Sequence, residues 1–95
     1  MLIVGRRRKK PKTQTFSFSA PEAESVLLVG DFTEWQQKAI PLEKDQSGLW
    51  TTTLKLPHGA HKYLFIVDGV WCDDPACTER LDNPFGGHDN IRRVA

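Results

Sequence analysis

Beyond Lys12, hydrophobic and polar positions alternate with a period of two, and no window of helical length carries a sustained apolar stripe, so the chain reads as all-β. Thr13–Ser19 alternates with Phe16 and Phe18 on one face until Ala20-Pro21-Glu22 interrupts it. Ser25–Val29 is apolar on both faces, as a strand covered on both sides is, and Gly30-Asp31 ends it. A loop from Phe32 to Lys38 carries Trp35, and Ala39–Leu42 follows as a short strand whose Pro41 suits a sheet edge. Leu49–Leu56 places Trp50, Thr52, Leu54 and Leu56 on one face. Pro57-His58-Gly59 then turns the chain into Ala60–Val67, with His61, Tyr63, Phe65 and Val67 on one face and Lys62, Leu64 and Ile66 on the other. Asp68-Gly69, between Val67 and Val70, predicts a two-residue hairpin, whose turn needs positive φ at both positions. Asp73 to Gly87 holds two prolines and Gly86-Gly87 and reads as irregular, after which Asn90–Val94 closes the sheet. About seven short strands with turn signals between them predict an immunoglobulin-like (early-set) β-sandwich.

Ninety-five residues allow one domain with a modest core. Charge divides it unevenly: residues 1–12 carry six basic residues and no acid, whereas residues 13–95 carry seven bases against twelve acids. The expected organisation is a basic, disordered arm over 1–12 ahead of a folded acidic module over 13–95. Only the arm offers contact to phosphate or nucleic acid, so a nucleic-acid partner is not expected for the module. The longest apolar runs, Val26–Val29 and Leu64–Val67, fall far below the roughly 18 residues of a membrane span. Met1–Val4 with its following basic run lacks the layout of a signal peptide. The expected compartment is the cytoplasm, and two cysteines, Cys72 and Cys77, are too few for a disulfide framework and are expected to be reduced.

Catalysis finds little support. Asp73 and Asp74 are adjacent, and on an extended segment their side chains diverge, which is wrong for the paired carboxylates of a glycosidase. The chain has neither a Gly-x-Ser-x-Gly elbow nor a Gly-rich phosphate loop. Cys72, Cys77, His58 and His61 are chemically suited to zinc, but their spacing is not that of a zinc motif. The expectation is therefore a non-enzyme without metal or cofactor.

Three segments, Val29-Gly30-Asp31-Phe32-Thr33-Glu34-Trp35, Leu56 through Gly69, and Trp71 with Asp74-Pro75, together with Asp89-Asn90-Ile91, resemble carbohydrate-binding module family 48. That family includes the glycogen-binding domain of the AMP-activated protein kinase β subunit and the N-terminal domains of isoamylases and branching enzymes. The resemblance runs from Thr13 to about Val94 and rests on the order and spacing of the segments. It implies that Trp35 and Trp71 form the platform on which glucan lies. The lysine of kinase-type members falls on Leu64, their asparagine on Asp89, and their loop leucine and threonine on about Phe85 and Gly87. These departures remove a cationic donor and alter an amide. Lys62, pointing the same way as Leu64, and Asn90, beside Asp89, are the candidate replacements.

The chemistry of a pyranose explains why tryptophans matter. Each sugar face is a flat array of C–H bonds rimmed by hydroxyls, so a binding protein covers the face with apolar surface and meets the rim with polar groups. Trp50, on an alternating strand, is expected to be sheet packing. Trp35, among acidic and amide residues in a loop, and Trp71, just after the hairpin, are the candidates for ligand contact. The expected function is non-catalytic binding of glycogen-like or starch-like α-glucan. The alternative is a docking module of a kinase complex or glucan-metabolising enzyme with no sugar binding of its own.

Overall fold

A computed structural model of the protein describes residues 10–83 and 87–95; most of the basic arm and Phe85 lie outside that range. Among the described residues nine strands succeed one another: β1 (Lys12–Ser19), β2 (Val26–Gly30), β3 (Ile40–Pro41), β4 (Glu43–Lys44), β5 (Leu49–Leu56), β6 (Gly59–Val67), β7 (Val70–Cys72), β8 (Arg80–Asp82) and β9 (His88–Val94). Two 3-10 turns, Asp31–Thr33 and Trp35–Lys38, follow β2. A small sheet has the order β1-β5-β4. A larger one has the order β3-β2-β6-β9-β8, with β7 also paired to β6, and all pairs are antiparallel.

The core forms where the apolar faces meet. From the small sheet come Phe16, Trp50 and Leu56; from the larger one come Val26, Leu28, Tyr63, Phe65 and Val94. Tyr63 stands edge-on to Phe16 at 4.9 Å between centroids, and Phe18 edge-on to Phe65 at 5.1 Å, a geometry that aligns the positive ring edge with the negative face. Trp50 is buried and its indole N–H donates to the Ala20 carbonyl at 2.8 Å, so it is the packing residue its alternating strand predicts. Arg92 bridges the layers from β9, its guanidinium 4.0 Å from the Phe16 ring and donating to the Thr15 carbonyl.

Two differences from the sequence reading have physical causes. The stretch expected as one strand over Ala39–Leu42 is split between sheets: β3 pairs with β2, β4 pairs with β5, and Leu42 between them inserts into the core. Pro41 lacks an N–H, while Leu42 donates its own to Val26, and the chain crosses from one sheet to the other there. β8 lies inside the stretch expected to be irregular; three exposed residues with one apolar member are too few to show an alternation.

The hairpin after β6 forms as expected, with φ of 50° at Asp68 and 85° at Gly69. Asp68 does more than turn the chain, since its Oδ1 accepts the N–H groups of Glu24 and Ser25 and ties the hairpin to the start of β2. β6 organises the larger sheet. One edge pairs with β2, and the other is shared, β9 taking Gly59–Tyr63 and β7 taking Phe65–Val67. The changeover falls at Leu64.

Candidate functional site

Successive residues of β6 alternate between faces, so Tyr63 and Phe65 enter the core while Lys62, Leu64 and Ile66 turn outward. On this outer face lies an open groove of about 860 Å³. Leu64 and Lys62 line it from β6, and Trp71 from β7, where it is the registered partner of Ile66. Trp71 is 45% exposed, whereas Ile66, between its partners Leu27 and Trp71, is buried.

Trp35 reaches the same groove from the 3-10 segment after β2. Its position is set by a tight local arrangement. Gly30 takes an extended conformation in which an added Cβ would collide with the Lys62 carbonyl and meet the Phe32 ring at 2.8 Å, so only glycine lets β2, β6 and Phe32 close together. Thr33, buried, accepts the Gly30 N–H at 2.9 Å, and its single hydroxyl proton faces the carbonyls of Gly30 and Trp35 at 3.0 and 2.8 Å. Glu34 and Trp35 both sit at positive φ, 52° and 55°, a conformation that costs non-glycine residues energy and that these bonds hold in place. Asp31 accepts the Lys62 N–H at 3.2 Å and anchors the segment to β6.

The opposite wall comes from the β7–β9 region. Cys72, Asp73, Asn83, Gly87, His88 and Asp89 line it. Asp89 is only 6% exposed and accepts from the Asn83 amide at 3.2 Å; Asn83 in turn accepts the Gly87 N–H. His88 Nε2 lies 2.8 Å from Asp73 Oδ2. The groove thus offers two indoles, carboxylates at Asp31, Asp73 and Asp89, and the ammonium of Lys62. Apolar ring faces flanked by such donors and acceptors match the two kinds of surface a sugar ring presents.

Behind this wall a buried polar cluster fixes its path. Tyr63 donates its hydroxyl to Asp74 Oδ2 at 2.6 Å, Asp74 donates its N–H to Asn90 Oδ1 at 2.7 Å, and Asp74 Oδ1 accepts from Ala76. Burial, together with the Asp74 carboxylate, raises the Tyr63 phenol well above its ordinary 10.0. Asp73 and Asp74 therefore diverge, one outward to His88 and one inward to Tyr63.

Trp35, Trp71, Lys62, Leu64, Gly87 and Asp89 are brought together on the groove. Asn90 is not. Registered opposite Tyr63, it faces inward, is fully buried and accepts from Asp74, so it cannot supply the amide expected of it. Phe85 lies outside the described residues. None of Asp31, Cys72, Asp73, Asn83 and His88 was expected in a sugar site, Cys72 and Asp73 having been weighed only for zinc and for catalysis; Gly30-Asp31 carried a turn signal, and nothing in the pattern marked His88. Cys72 and Cys77 are free thiols. Among the described residues, no cluster of three His, Cys, Asp or Glu could hold a metal ion.

The 5'-AMP-activated protein kinase subunit beta-1 of Rattus norvegicus is 40% identical over 71 residues, covering 75% of this chain and 25% of that protein. The beta-1 subunit of Sus scrofa is 38% identical over 71 residues, covering 75% of this chain and 55% of that protein. Protein FLOURY ENDOSPERM 6, chloroplastic, of Oryza sativa subsp. japonica is 35% identical over 79 residues, covering 83% of this chain and 14% of that protein. The chain thus spans about a quarter of the rat subunit's length and less of the rice protein's. A family model described as the glycogen recognition site of AMP-activated protein kinase matches residues 13–95, virtually the whole sandwich, and the chain belongs to that family.

Proposed function

We propose that the chain is a non-catalytic module that binds α-glucan of the glycogen or starch type by stacking sugar rings on Trp35 and Trp71. The observation that carries this reading is the meeting of the two indoles, from distant segments, on one open groove. Roughly 100 Å² of apolar area covered per ring gives about 2.5 kcal/mol gross at about 25 cal/mol per Å². Association costs offset much of the sum, so short oligosaccharides should bind with micromolar to millimolar dissociation constants, and polymeric glucan more tightly through repeated sites. Leu64, Lys62 and Asp89 complete the site as wall, hydroxyl donor and hydroxyl acceptor.

Tryptophan fluorescence titration tests the ligand class. Maltoheptaose should produce a saturable change and cellohexaose none, since Trp50 is buried and hydrogen-bonded and contributes a constant background. A flat response to both sugars removes the assignment.

Leu64→Lys should strengthen maltoheptaose binding. The side chain lines the groove beside Trp71, and an ammonium there adds a hydroxyl donor worth about 0.5–1.5 kcal/mol, up to about tenfold in affinity. Titration calorimetry checks it, and an unchanged constant would mean that Lys62 already serves that hydroxyl.

The kinase-subunit relatives favour a kinase assembly over an isoamylase-type enzyme as the larger context of the chain. Cytoplasm is the compartment that accompanies this reading, in keeping with two free thiols. Among the described residues, no helix is long and apolar enough to cross a membrane.

A further inference from the structure

A second, smaller hollow lies on the same face of the larger sheet, lined by Ala60, Lys62, Arg80, Leu81 and Ile91 with the Glu79–Arg93 pair at its margin. The two hollows adjoin at Lys62. Lys62 lines both; Leu81, in the second, is the registered partner of Asp89, in the first; and Ile91, two residues beyond Asp89 on β9, is the registered partner of Lys62.

The make-up of this hollow repeats that of the groove in a weaker form. Its apolar floor is Leu81, half exposed at 50%, and the partly buried Ile91. An aliphatic side chain left that open on a three-residue strand is apolar surface that a sugar face can cover. Beside it stands a cationic donor, the Lys62 ammonium, which has no side-chain hydrogen bond or ion pair among the described residues. Arg93 is already engaged, holding Glu79 through two hydrogen bonds of 2.7 and 2.5 Å.

Building on the α-glucan reading of the groove, we propose that this hollow is an extension subsite that takes further glucose units of a chain already stacked on Trp35 and Trp71. Leu81 and Ile91 cover a ring face, and Lys62 donates to its hydroxyls. Adjacency to the groove selects this occupant over a separate ligand, since the Lys62–Ile91 and Leu81–Asp89 pairings set this apolar surface directly beside residues that line the platform's groove.

Chain-length dependence reads the subsite. Maltotetraose and maltoheptaose are titrated by tryptophan fluorescence against the unsubstituted chain and Leu81→Ser. Maltoheptaose should bind the unsubstituted chain more tightly than maltotetraose, and the substitution should weaken maltoheptaose about three- to tenfold while leaving maltotetraose unchanged. The statistical advantage of a longer ligand is common to both proteins, so it cancels in the comparison. Leu81 is exposed, and the unchanged maltotetraose constant doubles as proof of a folded groove. Equal maltoheptaose affinity in both proteins overturns the subsite while leaving the platform standing. Failure of the unsubstituted chain to bind either sugar overturns the glucan reading and the subsite with it.

Discussion

Trp71→Ala abolishes co-sedimentation with glycogen while leaving the far-ultraviolet circular dichroism unchanged, the expected result if the indole is a sugar platform. The ring is 45% exposed on the three-residue β7, where it is registered opposite Ile66 and is not part of the core, so its removal costs the fold little. It removes about half of the stacking surface. A gross loss of about 2.5 kcal/mol is about seventyfold in affinity for a single site, and polymer binding multiplies the loss across sites. Trp35→Ala is expected to act in the same way. Alanine inherits the positive φ at that position, and the bonds from Thr33 and Asp31 that hold the segment do not involve the indole. Trp50→Phe supplies the contrast: it loses the bond to Ala20 and about 1 kcal/mol of stability but retains glycogen binding. Retention of binding by both alanine variants would sink the platform.

The sandwich was legible in the sequence because its longer strands are amphipathic with period two, and Phe16, Trp50, Tyr63 and Phe65 fall on the faces their alternation predicts. So was the hairpin, whose Asp-Gly pair leaves few alternatives. What stayed hidden are short elements and choices between adjacent residues. Asn90 and Asp89 are neighbours of similar polarity, and only register against β6 decides that Asn90 meets Tyr63 in the core while Asp89 reaches the groove. A one-residue shift would exchange them. The acidic wall at Asp73 likewise depends on a contact with His88, far along the chain, that no local pattern announces. The two tryptophans were within reach of sequence reading, Trp35 because a large ring among turn residues lacks a structural reason to be there, and both because the family resemblance marks them. Their meeting needed the 3-10 segment and its positive φ values, which a pattern of apolar positions does not encode.

The cluster behind the groove wall carries the other large effect. Tyr63→Phe keeps the ring against Phe16 and Phe65 but leaves the buried Asp74 Oδ2 without its donor. An unsatisfied buried acceptor costs about 1–3 kcal/mol, which for a domain of this size lowers the melting temperature by roughly 5–15 °C. Asp74→Ala should cost at least as much, since it strands both the Tyr63 hydroxyl and the Ala76 N–H. The same bond predicts a pH dependence of definite sign. Burial and the Asp74 carboxylate raise the Tyr63 phenol above its ordinary 10.0, so the folded state holds this proton more tightly than the unfolded state does. The resulting stability is fully present below about pH 10 and is lost as pH climbs above it, by at most about 1.4 kcal/mol per pH unit from this one group. Tyr63 is the only tyrosine of the chain, so tyrosinate absorbance reports it alone. That absorbance should rise only together with the loss of tertiary structure, and the alkaline fall in stability should vanish in Tyr63→Phe. A phenolate that appears near pH 10 in a protein still folded by near-ultraviolet dichroism would show that the hydroxyl is free, and with it the wall that Asp74 anchors.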